Sequence, residues 1–196
     1  WLSAQGRYYD LPTSIGIRST YSNLTVDNCE LSGWSYAAIY FGMAYGKGSY
    51  NNAILHNFIH HNQRGGAGYG VVFDTGSDGL IQANVFDWNR HSIAGSRLFP
   101  TANFEACYNL VLGNANGHYF DMHGGNDVSD PTDPAGGHVK VHHNTFMESS
   151  NPAVNIRGIP YEGAWVYKNW VLYDPNEFSS DEIFVQSLDN LPGHTP

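Results

Sequence analysis

A short motif built around asparagine recurs six times along the chain, and this repeat limits the folds that the sequence can adopt. The intervals between successive asparagines are 29, 27, 25, 35 and 25 residues. A short unit with insertions of variable length is typical of a solenoid, in which each repeat adds one coil. The six copies are Val26-Asp27-Asn28-Cys29, Leu55-His56-Asn57-Phe58, Gln82-Ala83-Asn84-Val85, Cys107-Tyr108-Asn109-Leu110, His142-His143-Asn144-Thr145 and Tyr167-Lys168-Asn169-Trp170.

The residues around each asparagine also keep their positions. A small or β-branched residue lies three positions before it, and an apolar residue lies two positions after it in every copy except the first, which has Glu30. A further asparagine recurs five positions on, as Asn62, Asn89 and Asn114. Stacked asparagines can hydrogen-bond amide to amide while they tolerate a bent backbone. We therefore expect asparagine ladders at a turn of each coil.

Upstream of each asparagine the sequence alternates over a few residues, as expected for a short strand with one buried face. Short strands joined by turns, with no helical crossover, indicate parallel coils wound on one another. The predicted inner columns are Ile15, Ile39, Val71, Ile93, Phe120, Val154 and Ile183, and Ile17, Phe41, Phe73, Gly95, Met122, Ile156 and Val185. This pattern predicts an all-β solenoid of about six to seven coils, with residues 1–196 forming a single domain.

These strand and turn repeats resemble the right-handed parallel β-helix superfamily, the pectate-lyase-like fold, from about Ile15 to Gln186. The resemblance implies a right-handed coil and leaves function open, because that fold hosts lyases, hydrolases, esterases, adhesins and carbohydrate-binding modules. The galacturonase-like signatures are absent, since Asn144-Thr145 is followed by Phe146. The pectate-lyase signature Trp-Ile-Asp-His is absent too. We therefore lean against an enzyme.

The charge balance narrows the classes of partner. Nine Lys and Arg against 18 Asp and Glu give a formal charge of −9, which repels nucleic acid and disfavours a polyanionic sugar. The sequence has neither a membrane-spanning apolar run nor a basic amphipathic helix, so we expect no membrane partner. The chain opens Trp1-Leu2-Ser3-Ala4 without a leader, and we expect it to be a segment excised from a larger protein.

The outward positions of the first predicted sheet hold the densest group of polar residues. Adjacent coils lie about 4.8 Å apart, which predicts Asp121 beside Asn155 and His123 beside Arg157. Asp74 is expected two coils from His123, and Tyr40 is expected beside Gly16. One interpretation is a saccharide-binding patch, or a catalytic one in which Asp121, His123 and Arg157 act on the substrate. The other is a solvated face whose neighbours satisfy one another.

A second candidate surface lies on the strand that leads into each asparagine. Its outward positions are Leu24 and Val26 in the first coil and become polar or aromatic in the last three coils, as Glu105, Lys140, His142, Trp165 and Tyr167. Aromatic faces beside hydrogen-bonding groups suit sugar rings. The alternative is that a neighbouring domain packs there.

Two parts of the sequence offer candidate metal ligands. Asp127, Asp130 and Asp133 lie in a glycine-flanked insertion whose oxygen ligands suit calcium. Asp121 and His123 offer two zinc ligands on one strand, but no cysteine accompanies them, so we do not expect transition-metal catalysis. The sequence requires no cofactor and allows calcium. We also expect Cys29 and Cys107 to be too far apart for a disulfide.

Together these features favour a carbohydrate-binding module that recognises a plant polysaccharide, more readily a neutral, xylan-like polymer than a polyanion. The alternative is a polysaccharide lyase or glycosidase acting through Asp121, His123 and Arg157, and a third hypothesis is an adhesin or structural segment. A module of this kind implies a secreted or cell-surface monomer that is joined to a catalytic domain in its parent protein.

Overall fold

The computed structural model describes residues 12–96, 100–112, 114–127, 134–147 and 151–172, together with the backbone of residues 183–186. These residues form 19 β-strands, one 3-10 turn at Gly125–Asp127 and no α-helix. They contain no helix long and apolar enough to cross a membrane. Every pairing between neighbouring strands within a sheet is parallel, for example β4 with β7 and β10 with β13. The all-β prediction is confirmed.

Each coil contributes one strand to each of three sheets. The first sheet contains β1 (Ile15–Ser19), β4 (Ala37–Phe41), β7 (Tyr69–Phe73), β10 (His91–Gly95), β13 (Phe120–Met122), β16 (Val154–Arg157) and β19 (Ile183–Gln186). The second contains β2 (Thr25–Asp27), β5 (Asn52–Leu55), β8 (Gly79–Gln82), β11 (Phe104–Cys107), β14 (His138–His142) and β17 (Gly163–Tyr167). The third contains β3 (Glu30–Ser32), β6 (Phe58–His60), β9 (Val85–Asp87), β12 (Leu110–Val111), β15 (Thr145–Phe146) and β18 (Trp170–Val171).

The protein is thus a right-handed parallel β-helix of six coils, to which β19 adds the first strand of a seventh. The sequence analysis predicts strands for the first two sheets only. Strands of the third sheet have two or three residues, too few to show alternation. Their only sequence signal is the apolar residue two positions after each asparagine.

A left-handed residue turns the chain between the second and third sheets. In the six coils this residue is Asn28, His56, Ala83, Tyr108, His143 or Lys168, with φ between 53° and 57°. Non-glycine residues adopt this conformation only at a cost, so neighbouring contacts must hold it in place. The next residue supplies those contacts, because it lies at the ladder position.

The main ladder contains Asn57, Asn84, Asn109, Asn144 and Asn169. The Nδ2 of each donates to the Oδ1 of the next at 2.9–3.0 Å, and the backbone N–H of each donates to the same oxygen. The predicted ladder is confirmed in these five coils. The prediction is wrong for the first coil, where Asn28 is the left-handed residue and the N–H of Cys29 donates to Asn57.

The second ladder is shorter than predicted. Asn62 Nδ2 donates to Asn89 Oδ1 at 2.8 Å, and both side chains are buried. Asn114 is instead an exposed left-handed residue, equivalent in conformation to His61 and Trp88. Its Nδ2 donates to Asp87 at the surface, so Asn114 does not belong to this ladder.

The interior is filled by the predicted apolar columns. Ile39, Val71, Ile93 and Phe120 are fully buried and lie in register in successive coils. The rings of Phe41 and Phe73 stack with centroids 5.2 Å apart. Each buried side chain of this size stabilises the fold by about 1.5–3 kcal/mol, and the cross-coil contacts make each coil depend on its neighbours.

The predicted register is wrong in the first coil. Ile17, not Ile15, pairs with Ile39, and Arg18, not Gly16, lies beside Tyr40. In the second sheet Val26 is buried, while Thr25 and Asp27 face outward. The shift in the second sheet follows from placing the ladder at Asn28 instead of Cys29.

Candidate functional site

The polar residues of the first sheet meet where the sequence places them. Asp121 pairs with Asn155, and Arg157 Nη2 lies 2.7 and 3.1 Å from the ring nitrogens of His123. The Asp121 side chain is fully buried, and Arg157 donates to both of its oxygens, from Nε at 3.0 Å and from Nη2 at 2.5 Å. The carboxylate is therefore held by a bidentate ion pair.

Asp127 completes this group, which we call the Asp121 cluster (Asp121, His123, Asp127 and Arg157). Arg157 Nη1 donates to Asp127 Oδ1 at 2.5 Å, and His123 Nδ1 lies 2.7 Å from Asp127 Oδ2. Burial alone would raise the pKa of Asp127, but the His123 hydrogen bond and the Arg157 charge hold it below its usual value. Asp127 is thus an ion-pair partner here, and Asp130 and Asp133 lie outside the described residues.

His123 has the most exposed side chain of the cluster, ahead of Asp127 at 19% and Arg157 at 18%. Its side chain is 26% exposed, whereas that of Asp121 is fully buried. When Nδ1–H donates to Asp127, Nε2 accepts from Arg157 at 3.1 Å. On protonation Nε2 can donate to Asp121 Oδ2, which lies 3.2 Å away. His123 therefore offers a ring nitrogen to a ligand beside two carboxylates and beside the Arg157 guanidinium, which lies 2.7 Å from Nδ1.

A groove of about 240 Å³ runs along the first sheet next to His123. Val72 and Ala94, both outward-facing and small, lie between its walls. We call it the tyrosine groove; it is lined by Tyr36, Tyr40, Tyr69, Val72, Asp74, Ala94, Gly95, Ser96 and His123. Three of these residues are tyrosines whose rings contact one another, with the Tyr36 ring 5.9 Å from Tyr40 and 5.8 Å from Tyr69. Tyr40, Asp74 and His123 were predicted as site residues, and the structure brings them to one groove.

Asp74 is the hydrogen-bond acceptor of this groove. Its carboxylate accepts from the Tyr40 hydroxyl and from the N–H and hydroxyl of Thr75, at 2.8 and 3.2 Å. Burial would raise the pKa of Asp74, but these donors keep it below its usual range. Burial and the adjacent carboxylate raise the pKa of Tyr40. At neutral pH the groove therefore offers a carboxylate beside a protonated phenol.

Sequence reasoning missed a column of rings at the edge of the same sheet. Tyr69, His91 and His118 lie in successive coils, with stacked ring centroids 5.5 Å apart at each step. His91 Nδ1–H donates to the backbone carbonyl of His118 at 2.6 Å, and burial lowers the pKa of His91 to about 3. The signal was available: each of these residues lies two positions before the inner column of its strand. Arg90 Nη1 donates to the Tyr69 hydroxyl at 3.0 Å.

The remaining predicted residues form a separate group on the second sheet, which we call the Trp165 surface (Glu105, Lys140, His142, Trp165 and Tyr167). His142 Nε2 lies 3.0 Å from Glu105, and the Lys140 ammonium lies 5.9 Å above the Trp165 ring. The Tyr167 ring stacks on His142 with centroids 4.8 Å apart. Trp165 and Tyr167 are both 44% exposed, so both rings remain partly accessible.

Both cysteines are free, as predicted. Cys29 is exposed, and Cys107 is buried beside Glu105 and His142. Burial and the charge of Glu105 raise the pKa of Cys107 to about 11, so it is a thiol at neutral pH. The thiol is therefore a poor nucleophile.

Fold and site together define a parallel β-helix protein with an aromatic groove that ends at a buried carboxylate cluster. Comparisons with protein-family models, with curated proteins and with solved structures find no match for this chain.

Proposed function

We propose that the protein is a carbohydrate-binding module that holds a neutral polysaccharide in the tyrosine groove. The observation that supports this most directly is that three tyrosine rings line one groove together with a hydrogen-bonding carboxylate and a partly exposed histidine. Sugar rings present apolar C–H faces to aromatic side chains and hydroxyl groups to acceptors such as Asp74. The lining residues come from successive coils and so lie along one axis, which suits a polymer.

The charges of the groove favour a neutral chain over a polyuronate. Asp74 is a carboxylate, and Arg157 already donates to two others, Asp121 and Asp127. A uronate would meet these negative charges in a protein whose formal charge is −9. Such polymers lie outside the cell, so we propose that the protein is secreted or displayed at the cell surface, with a catalytic domain as its partner in the parent protein.

Affinity electrophoresis tests this proposal, with xylans, glucans and polyuronates in separate gels, each with and without calcium. We expect retardation on a neutral polymer, with no product released. Tyr69→Ala and Tyr36→Ala should weaken binding at least about fivefold, since one aromatic contact contributes about 1 kcal/mol. Tyr21→Ala removes a ring that is 77% exposed and lies outside the groove, and it should bind as wild type does.

Two other results would overturn this assignment. If Trp165→Ala and Tyr167→Ala lose binding while the groove variants keep it, the polysaccharide binds at the Trp165 surface instead. No retardation on any polymer would favour a structural or adhesive segment.

The second candidate is a polysaccharide lyase, and the exposure of His123 beside two carboxylates is the observation that favours it. Arg157 is a permanent cation engaged with two carboxylates, so His123 is the better base for removing a proton from C5 of a uronate. A lyase would release unsaturated ends that absorb in the ultraviolet. That absorbance should disappear in His123→Ala, and its presence on a polyuronate would replace the binding-module proposal.

A further inference from the structure

Two buried histidine nitrogens face the carboxylate of Asp121 without a hydrogen-bond partner among the described residues. They are Nε2 of His91 and Nδ1 of His118. His91 is 1% exposed, and the carboxylate of Asp121 is fully buried. Buried polar atoms are normally satisfied, so two such atoms aimed at one carboxylate require an explanation.

The distances from the two histidine nitrogens to the Asp121 oxygens fit ligands that share one metal ion better than hydrogen-bonded pairs. His91 Nε2 lies 3.5 Å from Asp121 Oδ2, and His118 Nδ1 lies 3.7 Å from Asp121 Oδ1. Hydrogen bonds between nitrogen and oxygen are shorter than about 3.2 Å. Two donor atoms bound about 2.1 Å from a tetrahedral ion lie about 3.4 Å apart. The three donor atoms all lie within 4.8 Å of one another.

The tautomer of His91 is the one that a ligand needs. Its Nδ1–H donates to the backbone carbonyl of His118, so Nε2 carries a lone pair that points towards Asp121. A metal-bound histidine typically donates its other N–H to a carbonyl or carboxylate in this way. Without a cation, this lone pair faces a carboxylate that also lacks a proton, which is unfavourable.

We propose that His91, His118 and Asp121 form a site for a divalent transition-metal cation of the zinc type, the His91 site. Two imidazoles and one carboxylate are a donor set that such ions accept, with a fourth position left for water or for His123, whose Nε2 lies 3.2 Å from Asp121. From the sequence we expected no transition-metal catalysis, because no cysteine accompanies Asp121 and His123; His91 was not considered as a ligand there.

The surrounding charges are compatible with a cation. Asp121 and Asp127 carry two negative charges against the one positive charge of Arg157, so these three groups have a net charge of −1. Arg90 is held nearby by the Tyr69 hydroxyl and adds a second positive charge, so the four groups together are neutral. The two rings are within 9° of parallel, so binding requires His118 to turn. Its side chain is 30% exposed and has room to do so.

Cobalt titration tests the site with a readout that does not depend on the ligand of the tyrosine groove. The protein is stripped with chelator and titrated with Co²⁺ in a Cys29→Ser background, which removes the exposed thiol. We expect one equivalent to bind, with the visible absorption of a four- or five-coordinate ion and no thiolate charge-transfer band. Zinc should displace the cobalt.

Matched variants then locate the ion. His118→Ala and His91→Ala should each weaken binding at least about 100-fold. His118 is partly exposed, so its variant remains informative if His91→Ala does not fold. His142→Ala removes a ligand of the alternative group Glu105, Cys107 and His142 and should leave binding unchanged. No bound cobalt at micromolar concentration, or binding lost in His142→Ala with a thiolate band in the wild type, would overturn the proposal.

Discussion

At the scale of single residues, the balance around Asp121 depends on one guanidinium group. Removing a carboxylate from water costs several kcal/mol, and the ion pair with Arg157 offsets that cost only because its geometry is bidentate. The same guanidinium also donates to Asp127. Arg157 is therefore the counter-charge that allows Asp121 to be buried, and His123 is positioned by its contacts with both side chains.

Arg157→Ala should destabilise the protein by about 3–5 kcal/mol, because it leaves a fully buried carboxylate without a partner. Arg157→Lys should recover part of this loss, since it restores the charge without the two parallel hydrogen bonds. Urea unfolding measures both. Arg64→Ala removes a surface hydrogen bond to Thr13 and serves as the control, with an expected loss of less than about 0.5 kcal/mol. A cost below about 1 kcal/mol for Arg157→Ala would show that Asp121 finds its counter-charge elsewhere.

At the scale of elements, the asparagine ladder fixes the corner between the second and third sheets. Asn109 accepts from the Asn84 side chain and backbone, donates to Asn144, and donates to the carbonyl of Ile81. One side chain thus connects three coils and satisfies backbone groups that the turn leaves unpaired. The adjacent left-handed residue, Tyr108, can keep its conformation because this network holds the corner.

Asn109→Ala should cost at least about 2 kcal/mol, since it leaves several buried donors and acceptors unpaired. Asn114→Gly is the matched control, because Asn114 is exposed, lies outside both ladders and has a left-handed backbone that glycine adopts freely. Its effect on the free energy of unfolding should stay within about 0.5 kcal/mol.

Adding an asparagine tests the ladder at Cys29, the ladder position of the first coil, which has no asparagine. Cys29→Asn should extend the ladder into the first coil and stabilise the protein by about 0.5–1.5 kcal/mol. Equal effects of Asn109→Ala and Asn114→Gly would contradict the ladder assignment.

The limits of sequence reasoning are visible in the same elements. Period-two alternation predicts the inner columns of coils two to six, because burial selects apolar residues there regardless of the turns. The first coil is misplaced because Asn28 suits a left-handed turn as well as a ladder, and only the backbone distinguishes the two.

The site was predicted in part for a related reason. Asp121, His123 and Arg157 lie on the alternating face, whereas Tyr69 and His91 are the first residues of their strands and Tyr36 and His118 lie just before theirs. How closely these rings approach Asp121 and the groove depends on how successive coils stack. The spacing of the repeated asparagines does not specify that stacking.

At the scale of the whole molecule, parallel coils place their outward side chains in rows, so one sheet carries a continuous surface of changing chemistry. The row runs from Arg18 and Tyr40 through the small residues Val72 and Ala94 to Asp121 and Asn155. The apolar middle of this row allows the groove, and the polar end holds the buried charges. These carboxylates stabilise the fold only when they are ionised. The free energy of unfolding should therefore fall at acidic pH.

Asp74 gives a testable pH dependence of stability, because its pKa is lower in the folded protein than its ordinary value. As pH falls through the ordinary value of about 3.9, the unfolded chain takes up a proton at this position before the folded protein does, so stability falls. Asp74→Asn should therefore be less stable than wild type at pH 7, and the gap should narrow below about pH 4. Urea unfolding at a series of pH values measures the gap. Asp27→Asn, at an exposed pair with His56, provides the comparison. A gap for Asp74→Asn that stays constant down to pH 3 would show that the Tyr40 and Thr75 hydrogen bonds do not depend on the charge of Asp74.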